Sequence, residues 1–248
     1  MKRKRKSSSS RVLRTLMLLC AVGVLLSALV VFLEKKQQAK AKETYRELLS
    51  IRETVPVEED EGLELLDFTP LWEINPQVVG WISAEDTEID YPVLRAEDNN
   101  YYMRRLITGE YNIAGSIFMD YRNRGDFSDK NTLIYGHNMK DETMFSALAY
   151  YKEEGYYEGH PFFCISTPTA NFKAELFAGM VVDGSLESVR LDFEDDQDFE
   201  SYLEMLKNKS TFRSKTIVGS DDRIVTLSTC SYEFNNARYI VCGKIIPR

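Results

Sequence analysis

Histidine and cysteine are scarce in this chain of 248 residues, and their scarcity limits the metal chemistry that it can carry. Only His137 and His160 are present, and no two of the four cysteines stand in a C-x-x-C pair. Structural zinc sites use four Cys or His ligands at short spacings, so the sequence predicts no such site. It also has no EF-hand spacing and no internal repeat, and we expect the chain to use no metal and no cofactor.

Positive charge is in deficit after the first fourteen residues. Seven basic residues and no acid lie between residues 2 and 14, whereas the whole chain has a formal net charge of -8, which leaves -15 for the rest. Nucleic-acid-binding proteins present basic surfaces to phosphates, so the acidic remainder argues against nucleic acid as a partner. The basic run could itself be a nucleic-acid or nuclear-targeting patch, but an apolar segment follows it directly and favours a role in membrane topology.

A long uncharged run, Thr15–Leu33, comes next. As a helix its 19 residues extend about 28 Å, close to the thickness of a bilayer's hydrocarbon core. A cleaved signal peptide is the alternative, but its apolar region is usually shorter, and here Glu34-Lys35-Lys36 follows directly. We predict a cytoplasmic basic tail (residues 1–14) and a single-pass transmembrane signal anchor (15–33) in the cell membrane. Because positive charge stays on the cytoplasmic side, the rest of the chain is predicted to be extracellular.

Residues 34–64 are predicted to be a stalk and linker. Lys35–Arg52 is rich in Lys, Gln, Ala and Glu, which is typical of a helix, and Glu53–Glu64 is acidic with a Pro and a Gly that break helices. The folded domain is predicted over residues 65–248. It begins with a short helix within Asp67–Ile82, with Thr69 as N-cap and Pro70 at the first helical position.

Short β-type runs separated by turn residues dominate the rest of the domain, and many short strands with few helices are typical of a barrel or a sandwich. Helical insertions are predicted at Met144–Tyr151 and Asp198–Lys207. The acidic run Asp192–Asp198 either binds calcium or lies at the positive end of the second helix, and the latter is favoured. The strand-like runs are Thr87–Leu94, Gly115–Asp120, Asn131–His137, Phe162–Thr167, Phe172–Val182, Arg223–Cys230 and Arg238–Ile246.

Cys230 is the candidate nucleophile. Three cysteines fall in the predicted extracellular domain, so at least one thiol stays unpaired. Cys164 and Cys242 lie in apolar runs and are interpreted as buried packing residues. Because free cysteines are often buried, the same role is the default interpretation of Cys230. In a strand, however, Cys230 shares a face with Thr226 and Ser228, and a polar face suits a groove better than a core. A disulfide between Cys230 and Cys242 is the alternative, and it would remove the nucleophile.

A thiol nucleophile needs a base and a donor for the developing oxyanion. His137 ends a strand-like run where a loop begins, whereas His160 precedes Pro161 and resembles a strand-entry residue, so His137 is favoured as the base. Arg238 follows Cys230 by eight residues, a spacing that fits two antiparallel strands with the two residues opposite each other. A solvated loop histidine and a surface arginine are the structural alternatives.

Four stretches of the sequence form a recognisable set of motifs. They are Y-P-V-L with D-N-N-Y-Y, G-S-I-F-M-D-Y-R-N, N-T-L-I-Y-G-H-N-M and T-L-S-T-C-S-Y-E-F. This set resembles the sortases, the membrane-anchored transpeptidases of Gram-positive cell surfaces, and among these class B. The resemblance covers about Phe68–Ile246. It implies a mostly β fold, a closed eight-stranded β-barrel with N-terminal helices and a helix inserted before the cysteine-bearing strand.

The resemblance also implies roles for residues by position. Cys230 attacks the carbonyl of the threonine in a sorting motif, His137 is the general acid and base, and Arg238 holds the oxyanion or orients the substrate. Some class B members carry an acid two residues after the cysteine, where this chain has Tyr232 and then Glu233, so any role for a third catalytic acid stays open. The residues that the resemblance implies for substrate binding are Ser228, Thr229 and Tyr232.

The implied partners are secreted proteins with a C-terminal sorting motif and an amino group of the cell-wall peptide, to which the cleaved protein is joined. Class B members are associated with Asn-Pro-x-Thr motifs, and some accept Pro-Pro-x-Thr-Gly-like or Leu-Pro-x-Thr-Gly-like ones. A pilin-polymerising sortase, with a pilin lysine as the amine, is one alternative. A non-catalytic, membrane-anchored binding module on the same barrel is the other.

Overall fold

The computed structural model describes residues 8–56, 64–153, 155–185 and 189–247. The first seven residues of the predicted basic tail and residues 57–63 of the predicted linker lie outside the described residues.

Eight strands close into one barrel in the order β10-β8-β7-β3-β4-β5-β6-β9, while β1 and β2 pair separately. Two barrel contacts are parallel, β4 with β5 and β6 with β9, and the others are antiparallel. The predicted closed eight-stranded, mostly β fold is confirmed. The strands are β1 (Thr54–Pro56), β2 (Glu64–Leu66), β3 (Val78–Ser83), β4 (Asp90–Leu94), β5 (Ile117–Met119), β6 (Asn131–Tyr135), β7 (Phe162–Ser166), β8 (Asn171–Asp183), β9 (Ile224–Cys230) and β10 (Ala237–Pro247).

The sequence predicts a short helix within Asp67–Ile82, but strand β3 takes up the second part of this stretch. The helix ends at Ile74, and Asn75 after it is extended, which lets the chain turn into the barrel. The helix also begins at Thr69 itself instead of using Thr69 as its N-cap, and the Asp67 carboxylate accepts from the Thr69 amide (2.8 Å). An aspartate ahead of the first turn thus supplies the acceptor that the sequence assigned to threonine.

The helices are α1 (Ser8–Ser50), α2 (Thr69–Ile74), α3 (Tyr156–Gly159) and α4 (Asp196–Asn208), with short 3-10 helices at Tyr102–Arg104 and Ser146–Lys152. Helix α4 lies in the connection before β9, as predicted. Its buried face, which includes Phe199, Leu203 and Leu206, packs on the outside of the barrel in a second apolar cluster.

The acidic run before α4 acts at the start of that helix. The Asp195 side chain accepts from the Asp198 amide (2.8 Å), and Asp198 forms an ion pair with Arg190. Among the described residues, no group of three or more His, Cys, Asp or Glu side chains is placed to hold a metal ion. The contacts of Asp195 and Asp198 agree with the favoured interpretation of this run, a role at the start of the helix.

Helix α1 is long and apolar enough over its first half to cross a membrane, and its apolar side chains there are exposed. It continues without a break to Ser50, and Ala41, Tyr45 and Leu48 are buried in the same core as the barrel residues. This spacing of four and three residues places them on one helix face. The folded unit therefore extends N-terminal of the boundary predicted at residue 65, and the second half of α1 is part of it instead of a free stalk.

Candidate active site

Cys230 ends β9, and Arg238 stands directly opposite it in β10. The guanidinium Nη1 of Arg238 contacts Cys230 Sγ. A cation in contact with the sulfur stabilises the negative charge of a thiolate, which is the nucleophilic form of cysteine. The two residues meet in the register that their eight-residue separation predicts.

His137 reaches the same edge of the barrel because β6 runs parallel to β9, with Tyr135 paired to Ser228. Beyond β6, the Gly136 amide donates to the Ser228 carbonyl (3.0 Å). The Asn138 side chain then donates to the backbone carbonyl of Cys230 (3.0 Å). The residues on both sides of His137 are thus bonded to the strand that carries the thiol.

The His137 ring is oriented by a backbone carbonyl. Its Nε2 lies 2.6 Å from the Met103 carbonyl oxygen, which can only accept, so Nε2 is the protonated nitrogen and Nδ1 is left for proton transfer. Burial lowers the pKa of His137 below 6.5, and the cations of Arg104 and Arg238 lower it further against the opposing hydrogen bond to Met103. The neutral imidazole is therefore the favoured form at pH 7, which suits a general base.

A cavity of about 280 Å³ joins these groups. Cys230, His137 and Arg238 all line it, and so do Ser228 and Thr229. The other lining residues are Asn99, Asn100, Met103, Phe118, Tyr135, Gly136 and Gly184.

Tyr232 and His160 stand apart from this cavity. Tyr232 is not among its lining residues, and its side chain is 77% exposed. His160 stacks on Tyr156 with ring centroids 4.1 Å apart, and its Nδ1 lies 3.0 Å from the Tyr156 carbonyl. The structure therefore brings together five of the six predicted site residues and places the alternative histidine elsewhere.

Glu233 forms an ion pair with a lysine. Lys152 Nζ lies 2.5 Å from a Glu233 carboxylate oxygen, and the Ser231 hydroxyl donates to the other oxygen. Hydrogen bonds from Lys152 and Ser231 lower the pKa of Glu233 to about 2. This carboxylate anchors the loop after the thiol to the 3-10 helix Ser146–Lys152, a structural role that the sequence did not indicate.

Gly184 provides space for the arginine. A Cβ at this position would lie 3.0 Å from Arg238 Nε and 2.8 Å from the Asn236 carbonyl oxygen. A side chain here would therefore crowd both Arg238 and the Asn236 backbone. Gly184 follows β8, far from Arg238 in sequence, and no local pattern marked it.

None of the other cysteines lines the cavity, and Cys164, which the sequence predicts to be buried, is half-buried. No disulfide joins any of the four, all of which lie in the described part of the chain, so the alternative Cys230–Cys242 bond is not formed. Cys242 is fully buried, and burial raises the pKa of its thiol to about 12. It is a packing residue, as predicted.

Asp120 lies fully buried behind the cavity, in the motif G-S-I-F-M-D-Y-R-N. Its carboxylate accepts from Arg122 through Nε and Nη2 (2.8 Å each), from the Asn99 amide (2.9 Å) and from the Tyr135 hydroxyl (2.9 Å). Burial alone would raise the pKa of Asp120, but these hydrogen bonds outweigh it and lower the pKa. The charge thus orients two residues that line the cavity, Asn99 and Tyr135.

Replacing Asp120 by asparagine is expected to lower the free energy of unfolding by about 1–3 kcal/mol, because a buried charged acceptor of several donors is lost. It should also raise KM more than it lowers kcat, since Asn99 and Tyr135 lose their orientation while Cys230 is untouched. Urea denaturation and peptide-cleavage kinetics measure both effects. The exposed Asp221→Asn is the matched control, and equal stability of the two variants would contradict the assignment.

No protein-family model matches the sequence. Curated relatives do match. Sortase B of Listeria monocytogenes is 41% identical over 180 residues, which cover 72% of this chain and 73% of the relative. Sortase B of Staphylococcus aureus is 36% identical over 181 residues, which cover 72% of this chain and 74% of the relative.

Solved structures give the same result. The structure of sortase B from Bacillus anthracis in complex with AAEK1 has a TM-score of 0.77 at 33% identity and covers 86% of this chain and 99% of that one. A Staphylococcus aureus sortase B–substrate complex has a TM-score of 0.68 at 35% identity and covers 73% of this chain and 84% of that one. With this identity over most of the barrel, and with a thiol, a histidine and an arginine in one cleft, the chain belongs to the sortase B family of cysteine transpeptidases.

Proposed function

We propose that this chain is a membrane-anchored transpeptidase that cleaves a C-terminal sorting motif of secreted proteins after threonine and joins the new acyl group to an amino group of the cell-wall peptide. Cys230 is the nucleophile, His137 the general acid and base, and Arg238 the oxyanion or substrate-orienting group. The observation that carries the proposal is the contact of the Cys230 thiol with the Arg238 guanidinium in a cavity that His137 also lines.

In the first half-reaction, the thiol proton passes to His137 while the sulfur forms a bond to the threonine carbonyl carbon. Arg238 faces the oxygen that becomes negative, and the electrostatic stabilisation of such an oxyanion is a large part of acyl-transfer catalysis. The C–N bond then breaks, and His137 gives its proton to the leaving amine. The products are a thioester on Cys230 and a peptide with a new amino terminus.

In the second half-reaction, an incoming amine attacks the thioester carbon and gives a proton to His137. The C–S bond breaks, an amide forms, and the proton returns to the Cys230 sulfur, so the enzyme is regenerated without a cofactor. Two solved structures support the two binding events: one is a Staphylococcus aureus sortase B–substrate complex, and the other is a sortase B complexed with Gly₃.

The apolar half of α1 supports the anchor in this proposal, with residues 15–33 in the membrane and the barrel outside the cell. Its length and composition suit a membrane span, and the basic run before it favours a cytoplasmic N-terminus.

The test uses the full chain in detergent with peptides that carry Asn-Pro-x-Thr, Pro-Pro-x-Thr-Gly and Leu-Pro-x-Thr-Gly motifs, followed by mass spectrometry. We expect cleavage after threonine in at least one motif, and transfer to an added glycine peptide. A peptide with a pilin-type lysine is the competing acceptor, and preferred transfer to it would replace wall anchoring by pilus assembly. Cleavage of none of the motifs would reject the proposal.

A further inference from the structure

The membrane helix and the barrel are joined without a spacer. Gln37 is the fourth residue after Leu33, the last residue of the apolar run. Its backbone carbonyl accepts from the Asn112 side chain (2.8 Å), and its side-chain oxygen accepts from the Ile113 amide (3.0 Å). These bonds fix a loop of the barrel to α1 immediately outside the predicted span.

Helix geometry gives the height of this contact above the hydrocarbon core. At 1.5 Å per residue, Gln37 lies about 6 Å beyond Leu33 along the helix axis. The headgroup layer on each side of a bilayer is about 5–8 Å thick, from the difference between its total and hydrocarbon thicknesses. When α1 spans the membrane, Asn112 and Ile113 therefore lie at the level of the headgroups.

The direction of the loop follows from a second pair of contacts. The Tyr45 hydroxyl donates to the Gly115 carbonyl (2.9 Å) and lies 3.0 Å from the Ser116 hydroxyl. Tyr45 is eight residues past Gln37, about 12 Å farther from the membrane. Within this turn of the chain, Asn112 is therefore nearer the bilayer than Ser116, and Tyr111 is the residue directly before Asn112.

The surface at this end of the loop carries tyrosine rings and arginine side chains. Tyr111 is 55% exposed and forms a β-bridge with Arg105, whose guanidinium lies 4.9 Å over the ring of the exposed Tyr101. Arg104 is exposed, and its carbonyl accepts from the Asn112 amide (3.0 Å). Two exposed carboxylates lie beside them, Glu110 and Asp98, and Asp98 accepts from the Tyr101 amide (2.9 Å). Tyr101, Arg104, Arg105 and Tyr111 are named the hairpin patch.

We infer that the hairpin patch contacts the headgroup layer of the bilayer that α1 crosses. Tyrosine rings and arginine side chains are the groups that favour the membrane–water interface, the first as amphipathic rings and the second as partners of lipid phosphates. Asn100 and Met103 lie within the same stretch of chain and line the catalytic cavity, so one rim of the cavity lies at the membrane surface. This inference rests on the proposed membrane anchor and not on the transpeptidase chemistry.

The test measures the depth of one side chain in the membrane. The full chain is reconstituted in vesicles of phosphatidylcholine and phosphatidylglycerol that contain headgroup-spin-labelled lipid, which quenches tryptophan nearby. The fluorescence of Tyr111→Trp in excess of the wild type's comes from the new tryptophan. We expect the spin-labelled lipid to quench this excess by about half or more, because the ring lies in the interface. Val55→Trp is the matched control. Val55 is 44% exposed and follows Ser50, which lies about 25 Å beyond Leu33, so its added fluorescence should persist.

Equal quenching of the two variants, or a chain that does not float with the vesicles, overturns the inference. Neither position lies in the cavity, so both variants are expected to cleave a sorting-motif peptide like the wild type. Peptide cleavage measured in the same vesicles therefore tests the proposed function separately from the position of the barrel on the membrane.

Discussion

Replacing Cys230 by alanine is expected to abolish thioester formation and to lower kcat by a factor on the order of 10⁴ to 10⁶. Without the sulfur, the cavity offers no comparable nucleophile. The Thr229 hydroxyl is buried and donates to the Gly136 carbonyl (2.8 Å), and Ser228 is 4% exposed. Intact-protein mass spectrometry of the chain mixed with a sorting-motif peptide measures the covalent adduct, and chromatography of the peptide measures turnover.

Two further variants make this result specific. Cys20→Ala removes a thiol from the apolar half of α1 and is expected to keep full adduct formation. Cys230→Ser keeps a small polar group opposite Arg238 but replaces the polarisable sulfur with a far weaker nucleophile, so it should be nearly as inactive as the alanine variant. An adduct that survives in Cys230→Ala would place the nucleophile elsewhere and reject the mechanism.

Local periodicity was sufficient to predict the strand pair at the centre of the site. The alternation in β9 and the eight-residue spacing place Cys230 opposite Arg238, because both properties depend on neighbouring residues alone. The choice of His137 came from the shortage of histidines and from its place after a strand. Its actual route to the thiol, the parallel pairing of β6 with β9, joins segments about ninety residues apart and has no local signature.

The features that the sequence did not predict are long-range contacts. Asp120, Lys152 and Gly184 act on the site from strands and loops that only the closed barrel brings together. The docked half of α1 was interpreted as a stalk because its composition is that of a solvated helix. Its buried positions, Ala41 and Tyr45 among them, were outnumbered by charged residues on the exposed faces.

Replacing His137 by glutamine is expected to lower kcat/KM by about 10²- to 10⁴-fold, the range for loss of a general acid and base. A glutamine amide can still donate to the Met103 carbonyl, so the loop keeps its hydrogen bond while proton transfer is lost. His160→Gln is the matched control and should keep wild-type rates, because His160 packs on Tyr156 away from the cavity. Thermal unfolding of both variants shows whether either change disturbs the fold.

The pH dependence distinguishes a proton-transferring histidine from one that only packs. Because burial lowers the pKa of His137, the imidazole stays neutral below pH 6.5 and becomes protonated only at lower pH. As the pH falls through this lowered pKa, the neutral base is lost, so kcat/KM of the wild type should decline in the same range in which the His137 ring titrates by NMR. The glutamine variant should lack this decline. A ring that titrates at or above pH 6.5 would contradict the lowered pKa of His137. An acidic limb that persists unchanged in His137→Gln would show that another group transfers the proton.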